Sequence, residues 1–338
     1  MVEIVENHNN KLKLLLYKND IEALKQYYFE NKDKIDLSIE DELPFRYACE
    51  NGNLEFAKWL LNIKPNIDIS ALSDYSFRLA CYKGHLDVAK WLYDTKPNIT
   101  IENIMFYLTC ENGFIDIAKW LLQLNPKINI SLYDEEAFRS SCSAGHIEIA
   151  KWILKINPDT NISACDDYAF RFACANGHLD IAKWLLEIKA DINISGYCEY
   201  AFLFACKNGK LDVVRWLLEI KPDIVIDINN ESAFGWACAN GHIEVVKFLF
   251  TKKTNWNINN VHSFIDPEII YCIREINRKK WYNIINKKDN EELEITCPIC
   301  ISNIDEYIKT PCRHTFCIEC ITKWIETNNS CPYCRMII

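Results

Sequence analysis

The sequence lacks any long apolar segment. In 338 residues, no apolar run approaches the roughly 18 residues that a transmembrane helix needs. The first residues, MVEIVENHNNK, also lack the basic start and the following apolar stretch of a secretory signal. We therefore expect an intracellular protein, in the cytoplasm or nucleus, that is neither secreted nor bound to a membrane.

Basic residues are outnumbered by acidic ones. The chain has 38 lysines and arginines against 47 acidic residues, which gives a net charge of -9. Nucleic-acid affinity comes largely from Lys and Arg side chains that neutralise phosphates, so this balance argues against a general nucleic-acid-binding protein. The hydrophobic fraction of 49% is ordinary for a globular chain, but 338 residues exceed the usual size of one core. The composition predicts two domains or an array of repeats.

Cysteine, in contrast, is abundant, with 17 residues. In an intracellular chain these thiols are kept reduced, which argues against disulfides and favours metal ligands or small buried side chains. Successive members of one group are separated by 32, 29, 32, 32, 32 and 32 residues, namely Cys49, Cys81, Cys110, Cys142, Cys174, Cys206 and Cys238. A period of this size indicates a solenoid, and the shorter step indicates a deletion of three residues.

Each repeat has the form AFRFACANGHLDIAKWLLEIKADINIS. This pattern predicts a short helix, a bend at the glycine, and a second helix with one apolar face. Because one unit cannot bury that face alone, neighbouring copies must stack. The recurring cysteines are predicted to be buried between helices. The histidines after the bend are predicted to make local hydrogen bonds at the bend, namely His85, His146, His178 and His242.

The repeats resemble ankyrin repeats over about residues 40–250, most closely in the NGHLDIAKWLL half. In the other half, Phe-Arg replaces the usual Thr-Pro-Leu-His, at Phe45-Arg46, Phe77-Arg78, Phe138-Arg139 and Phe170-Arg171. The resemblance implies a mainly α-helical solenoid that binds an unknown protein partner. We expect a capping repeat over 1–38, seven ankyrin-like repeats over 39–250, and a capping helix and linker over 251–290.

Two further features of the repeats bear on their partners. The richness in Trp, Asn, Ile and Lys resembles the ankyrin proteins of large DNA viruses, including viruses of protists, which implies action in a host cell. The segments before the first helices carry acidic residues, which favours a partner with some positive charge. These residues are Asp74, Asp134, Asp166, Asp167, Glu199 and Glu231.

A second group of cysteines lies near the C-terminus, in CPICISNIDEYIKTPCRHTFCIECITKWIETNNSCPYC. Its seven cysteines and one histidine are separated by 2, 11, 1, 2, 2, 10 and 2 residues. Thiolate and imidazole are the donors that structural zinc sites use, four per ion, so eight ligands predict two zinc sites. Spacing alone leaves open which pairs share an ion.

The ligand order resembles a RING finger of the C3HC4 type, which we assign to residues 291–338. The resemblance implies a small α+β domain in which the ligand pairs interleave around two structural Zn2+ ions. The first zinc would be held by Cys297, Cys300, Cys317 and Cys320, and the second by Cys312, His314, Cys331 and Cys334.

The RING resemblance also implies a function. RING fingers recruit a ubiquitin-charged conjugating enzyme and promote transfer of ubiquitin to a substrate lysine by positioning. In that family an apolar surface contacts the conjugating enzyme, and the matching residues here are Ile299, Trp324 and Pro332. A cation that bridges the conjugating enzyme and ubiquitin is matched by Arg335. With all cysteines of the cluster committed to zinc, no covalent ubiquitin intermediate is expected on this chain.

We therefore expect a RING-type E3 ubiquitin-protein ligase that binds its substrate through the repeats. The main alternative is a non-enzymatic ankyrin and zinc-finger scaffold for protein interactions. A zinc-dependent nucleic-acid binder is disfavoured, because residues 291–338 contain seven acidic and four basic side chains.

Overall fold

The computed structural model describes residues 2–226, 228–253, 295–301, 303–304, 307–310, 312–325, 328 and 330–335. It divides into two compact units, one of Met1–Ala173 with Asp180–Ile192 and one of Cys174–Leu179 with Asn193–Ile338. Within the described ranges, no helix is both long and apolar enough to cross a membrane. The capping helix predicted within 251–290 lies, from residue 254 onward, outside the described residues.

The described residues up to 253 form helix pairs, as the repeat pattern predicts. Their bounds are α1 Val2–Tyr17, α2 Ile21–Asn31, α3 Ile39–Glu50, α4 Leu54–Ile63, α5 Ala71–Tyr82, α6 Leu86–Thr95, α7 Asn103–Glu111, α8 Ile115–Leu124, α9 Leu132–Ala144, α10 Ile147–Ile156, α11 Ala164–Asn176, α12 Leu179–Ile188, α13 Gly196–Lys207, α14 Leu211–Ile220, α15 Ile228–Ala239 and α16 Ile243–Lys252. We call the odd-numbered member of each pair from α3 onward the first helix of a repeat, and its partner the second helix.

The second helices bury one face, as their sequence pattern predicts. In α12, Ile181, Ala182 and Leu185 are fully buried, at positions that share one side of a helix. Complete burial of an Ile or Leu side chain stabilises by about 1.5 to 3 kcal/mol. Since this face recurs in each repeat, the stacking of neighbouring repeats contributes to the stability of the array.

The recurring cysteines are buried in the seam between helices, which confirms their structural interpretation. All seven are exposed by 1% or less, and burial raises the pKa of each thiol. A fully buried phenylalanine stands four positions before each of them, at Phe45, Phe77, Phe106, Phe138, Phe170, Phe202 and Phe234. Thiols that stay protonated in an apolar seam act as small hydrophobic side chains.

Two of the histidines after the bend, His85 and His242, bond to the preceding repeat, and the prediction of local bonds is wrong for these two. The Nε2 atom of His85 lies 2.9 Å from the carbonyl oxygen of Glu50 in the preceding repeat. His242 makes the same contact with the carbonyl of Lys207, also at 2.9 Å. The His85 ring covers the bend of the preceding repeat so closely that a Cβ on Gly52 would clash with Nδ1 of the ring. These histidines therefore join neighbouring repeats.

A left-handed turn of three residues lies near the start of five first helices. It spans residues 40–42, 72–74, 133–135, 165–167 and 197–199, with φ between 48° and 65°. None of these residues is glycine, and a left-handed conformation costs other residues roughly 1 to 2 kcal/mol each. The turn must therefore be held by contacts with its surroundings.

The arginine of the Phe-Arg pair supplies such contacts. Arg139 donates from Nε to the carbonyl oxygen of Asp134 at 2.6 Å and from the guanidinium to that of Tyr133 at 2.9 Å. Arg171 repeats both bonds in the next repeat, at 2.8 and 2.9 Å. The turn at 197–199 forms with Leu203 at the corresponding position, so the arginine supports the turn without being required for it.

The three-residue deletion in the repeat spacing corresponds to this turn. The third repeat, which is short by three residues, has no left-handed turn, and α7 begins directly after Glu102, whose φ is -93°. Tyr107 stands there in place of the arginine. Four of the five steps of 32 residues thus include a left-handed turn, and the step of 29 omits it.

We predict that Arg139→Ala destabilises the repeats by about 2 kcal/mol, because it removes charge-assisted bonds to two carbonyls and an ion pair with Glu136 at 2.6 Å. Thermal unfolding followed by circular dichroism measures the change. Arg139→Lys keeps the charge but not the forked donors, so we expect an intermediate loss. An unchanged unfolding temperature for Arg139→Ala would show that the arginine does not stabilise the turn.

The C-terminal domain is small and mixed. Strand β1 (Ile295–Thr296) pairs with β2 (Asn303–Ile304), and β3 (Tyr307–Lys309) pairs with β4 (Thr315–Cys317), both antiparallel. Helix α17 (Ile318–Ile325) follows directly. The buried core among the described residues consists of Cys297, Ile308, Phe316, Ile321 and Cys331. So few side chains rarely stabilise a domain without disulfides or metal.

Candidate metal centres

The first cluster joins two separate parts of the C-terminal domain. Cys297 and Cys300 follow β1, whereas Cys317 ends β4 and Cys320 lies in the first turn of α17. One sulfur from each lies within 4.8 Å of the others. The sulfurs of Cys300 and Cys317 are 3.7 Å apart, and the backbone N–H of Cys320 donates to the sulfur of Cys317 at 3.4 Å.

The second cluster also joins two distant segments. Cys312 and His314 precede β4, whereas Cys331 and Cys334 follow α17, and their ligand atoms lie within 4.8 Å of one another. The Nδ1 atom of His314 lies 3.3 Å from the sulfur of Cys312 and 3.6 Å from that of Cys331. The structure thus brings together the same two groups of four that the RING resemblance implies.

The electrostatics of the first cluster favour a cation. Burial raises the pKa of the Cys297 thiol, but backbone hydrogen bonds from Cys300, Cys317 and Ile299 outweigh it and lower the pKa to about 6. Its neighbour Cys320 behaves in the opposite way, because the adjacent sulfurs, chiefly that of Cys317, raise its pKa to about 12. Four crowded sulfurs repel one another as thiolates. A divalent cation at their centre would remove that repulsion, so the cluster could bind a metal ion.

Thr310 supports the second cluster and was not identified from the sequence. It is 3% exposed, and its hydroxyl donates to the carbonyl oxygen of His314 at 2.9 Å and accepts from the N–H of His314 at 3.1 Å. The same hydroxyl lies 3.0 Å from the sulfur of Cys312. Such contacts orient ligands and tune their basicity. A hydroxyl residue two positions before a ligand is the sequence signal that could have identified it.

The turns at the ligands fix the residues that follow them. Ile301, Arg313 and Arg335 each come directly after a ligand cysteine and have a left-handed φ of 59°, 68° and 58°. The N–H of Ile301 donates to the carbonyl of Cys297 at 2.8 Å, and that of Arg335 to the carbonyl of Cys331 at 2.9 Å. The backbone of Arg335 is therefore positioned by the second cluster.

The four residues predicted to contact a conjugating enzyme differ in exposure. Ile299 is 42% exposed, and Arg335 is also exposed. Trp324 and Pro332 are half-buried, and the indole N–H of Trp324 donates to the carbonyl oxygen of Ser330 at 2.7 Å. A 42% exposed isoleucine contributes little to the core, so its side chain is available to a partner.

Two exposed apolar side chains near the clusters were not singled out from the sequence. Ile301 is 82% exposed and Tyr333 is 69% exposed. The ring centroid of Tyr333 lies 4.7 Å from that of His314, so the tyrosine covers a ligand of the second cluster. Neither residue lies at a position for which the RING resemblance implies a contact with the conjugating enzyme. They are identified only by their exposure in the structure.

Stacked helix pairs and a small domain with two four-residue clusters define a helical repeat protein with a C-terminal zinc-finger-like domain. Family models agree with this class. The model described as "Ankyrin repeats (3 copies)" matches residues 2–103, 77–166, 106–196 and 170–260, and the chain belongs to the ankyrin-repeat family. The model described as "Ring finger domain" matches residues 295–335, so a RING finger follows the repeats.

Three individual relatives match this chain over short stretches at the RING finger. Polycomb group RING finger protein 3 of Mus musculus is 49% identical over 45 residues, which are 13% of this chain and 19% of that protein. The E3 ubiquitin-protein ligase ICP0 of Equine herpesvirus 1 (strain Ab4p) is 46% identical over 41 residues, 12% of this chain and 8% of that protein. The probable E3 ubiquitin-protein ligase DTX3 of Mus musculus is 46% identical over 50 residues, 14% of each. The matches thus span less than a fifth of these relatives.

Among solved structures, the human ASB11 ankyrin repeat domain has 19% sequence identity and a TM-score of 0.42. The alignment covers 61% of this chain and 96% of that one.

Proposed function

We propose that the protein is a RING-type E3 ubiquitin-protein ligase that binds its substrate through the ankyrin repeats. The observation that carries this proposal is the arrangement of the eight Cys and His side chains into two groups of four beside the exposed Ile299 and Arg335. The RING fingers of two relatives named as E3 or probable E3 ligases, each at 46% identity, support it.

The two clusters would each hold one structural zinc ion. Soft thiolates with one imidazole are the donors that zinc prefers, and four protein ligands fill a tetrahedral site. Bound zinc would therefore supply only structural cross-links and would have no open position for water. Cys297, Cys300, Cys317 and Cys320 would form one site, and Cys312, His314, Cys331 and Cys334 the other.

The surface residues would then act by positioning. Ile299, Trp324 and Pro332 would form the apolar contact with the conjugating enzyme, and Arg335 would donate hydrogen bonds both to that enzyme and to its ubiquitin. Apolar, aromatic and arginine side chains of this kind dominate the energy of many interfaces. Held in a reactive orientation, ubiquitin would pass from the conjugating enzyme to a substrate lysine without a covalent intermediate on this chain.

The proposed activity predicts ubiquitin conjugates in a reconstituted reaction. The full chain is combined with activating enzyme, ubiquitin, ATP and each of a panel of conjugating enzymes, and conjugates are detected by immunoblotting. We expect conjugates that require the chain with at least one conjugating enzyme. If none of the panel supports them, the ligase proposal fails and the alternative, a non-enzymatic interaction scaffold, is favoured.

An origin in a large DNA virus, including viruses of protists, stays a prediction. We also propose that the protein acts in the cytoplasm or nucleus of a host cell. Immunofluorescence of the tagged chain in transfected cells tests the location.

A further inference from the structure

In the first two repeats, a lysine at the end of the second helix neutralises a carboxylate in the left-handed turn. Lys64 Nζ lies 3.1 Å from both carboxylate oxygens of Glu42 and also donates to the hydroxyl of Ser38. Lys96 and Asp74 repeat the contact at 3.0 Å. The carboxylates are only 10% and 17% exposed, so each ammonium compensates a charge that water largely cannot reach. Asp74 is thereby committed to the fold, although the sequence suggested it as a contact for a partner.

The fourth repeat keeps the carboxylate but not the lysine. Glu135 ends the left-handed turn as Glu42 does, whereas Asn157 caps the second helix. The amide of Asn157 donates to the hydroxyl of Ser131 at 2.9 Å. Glu135 is 7% exposed, and its Oε1 accepts from the N–H of Asn161 at 3.3 Å. Its Oε2 is buried without a hydrogen-bond partner among the described residues, which is costly for a carboxylate.

Glu135 lines an open cleft. The lining residues are Ser131, Asp134, Glu135, Asn161, Ala164 and Cys165. Asp134 is exposed and forms no ion pair within the described part of the chain, so the cleft contains two carboxylates. Arg139, which bonds the carbonyl of Asp134, is engaged by Glu136 and by two carbonyls of the turn. Among the described residues, no lysine or arginine side chain lines the cleft, and its charge is therefore complementary to a cation.

We propose that this cleft binds a lysine side chain of a partner protein. The first two repeats display the contact, because there an ammonium rests on the equivalent carboxylate beside a serine hydroxyl. Ser131 and Glu135 preserve that arrangement, and Asp134 adds a second acidic group at the cleft. The inference rests on one part of the proposed function, namely that the repeats bind a partner protein.

The site is tested with the full chain and a short acetylated and amidated peptide that contains one lysine between alanines. A matched peptide contains acetyl-lysine, which has the same stem without the charge. Binding isotherms are measured by NMR chemical shifts for the wild type, Glu135→Gln and Asn157→Lys. We expect saturable binding of the lysine peptide to the wild type, and binding weaker by more than about tenfold for either variant or for the acetyl-lysine peptide.

Asn157→Lys is the most informative variant, because the new lysine should form an ion pair with Glu135 inside the chain, as Lys64 does with Glu42. We expect it to unfold at the same temperature as the wild type or higher, so that lost binding is not lost folding. The reciprocal change, Lys96→Asn, should create a second site for the lysine peptide at Asp74.

Several results would overturn the assignment. One is binding of the lysine peptide that is equal in the wild type and Asn157→Lys, and another is no saturable binding at all. Tighter binding of free spermidine than of the peptide would show a site for small amines, and Glu135-dependent binding of Ca2+ alone would show a metal site. Ubiquitin is absent from these measurements, so their failure leaves the ligase proposal untouched, and the reverse also holds.

Discussion

Cys331→Ser should reduce bound zinc from two ions per chain to about one and abolish ubiquitin transfer. Cys331 is completely buried, and it belongs both to the second cluster and to the small core with Ile308, Phe316 and Ile321. A serine hydroxyl is a poor zinc ligand compared with a thiolate, and the core is too small to hold the domain together without metal. Native mass spectrometry counts the ions, and the reconstituted reaction measures transfer.

A matched control separates this effect from the loss of any cysteine. Cys198 is exposed, and its replacement by serine makes the same chemical change far from the RING finger in the sequence. We expect Cys198→Ser to keep both ions and full transfer. Two zinc ions and undiminished transfer in Cys331→Ser would contradict the assignment of the second cluster.

Ile299→Ala and Arg335→Ala should each lower the rate of ubiquitin transfer by about tenfold or more while both zinc ions remain bound. Ile299 is 42% exposed and Arg335 is exposed, so neither truncation removes core packing. The loss would therefore come from contacts with the conjugating enzyme and its ubiquitin. Transfer rates with the conjugating enzyme that works best, together with zinc counts, provide the measurement.

Lys323→Ala is the control for the second prediction. Lys323 is exposed in the last turn of α17, so its truncation likewise leaves the core intact. We expect a transfer rate close to that of the wild type. If Ile299→Ala and Arg335→Ala also transfer at the wild-type rate, the contact surface lies elsewhere on the RING finger, and the exposed Ile301 and Tyr333 become the next candidates.

Much of the fold can be predicted from the spacing and periodicity of residues in the sequence. The interval between Cys49 and its successors indicated the repeats, because a stacked array must return to the same environment once per repeat. The RING ligands were recognisable for a similar reason, since a four-ligand metal site requires particular donors at short separations. Their grouping into two sets came from the resemblance to known RING fingers, and the coordinates place the same sets together.

Contacts between repeats were not predictable in the same way. His85 bonds a carbonyl 35 residues earlier, and nothing in its local sequence distinguishes that partner from the bend beside it. The left-handed turn was missed because its residues differ between repeats and none of them is glycine, the usual sign of positive φ. The repeat spacing in the sequence shows a deletion of three residues before Cys110, but only the structure shows that this deletion removes the turn. Thr310 has no periodic partner and was found through its burial.

Discharge of ubiquitin from a purified, ubiquitin-charged conjugating enzyme is the most direct measurement of the proposed ligase activity. The experiment compares single-turnover discharge to free lysine with no addition, with the wild-type chain, and with Arg335→Ala. We predict that the wild type accelerates discharge and that Arg335→Ala, with its zinc intact, gives little acceleration. A wild-type chain that binds two zinc ions and accelerates discharge from none of a broad panel of conjugating enzymes would contradict the proposed ligase activity.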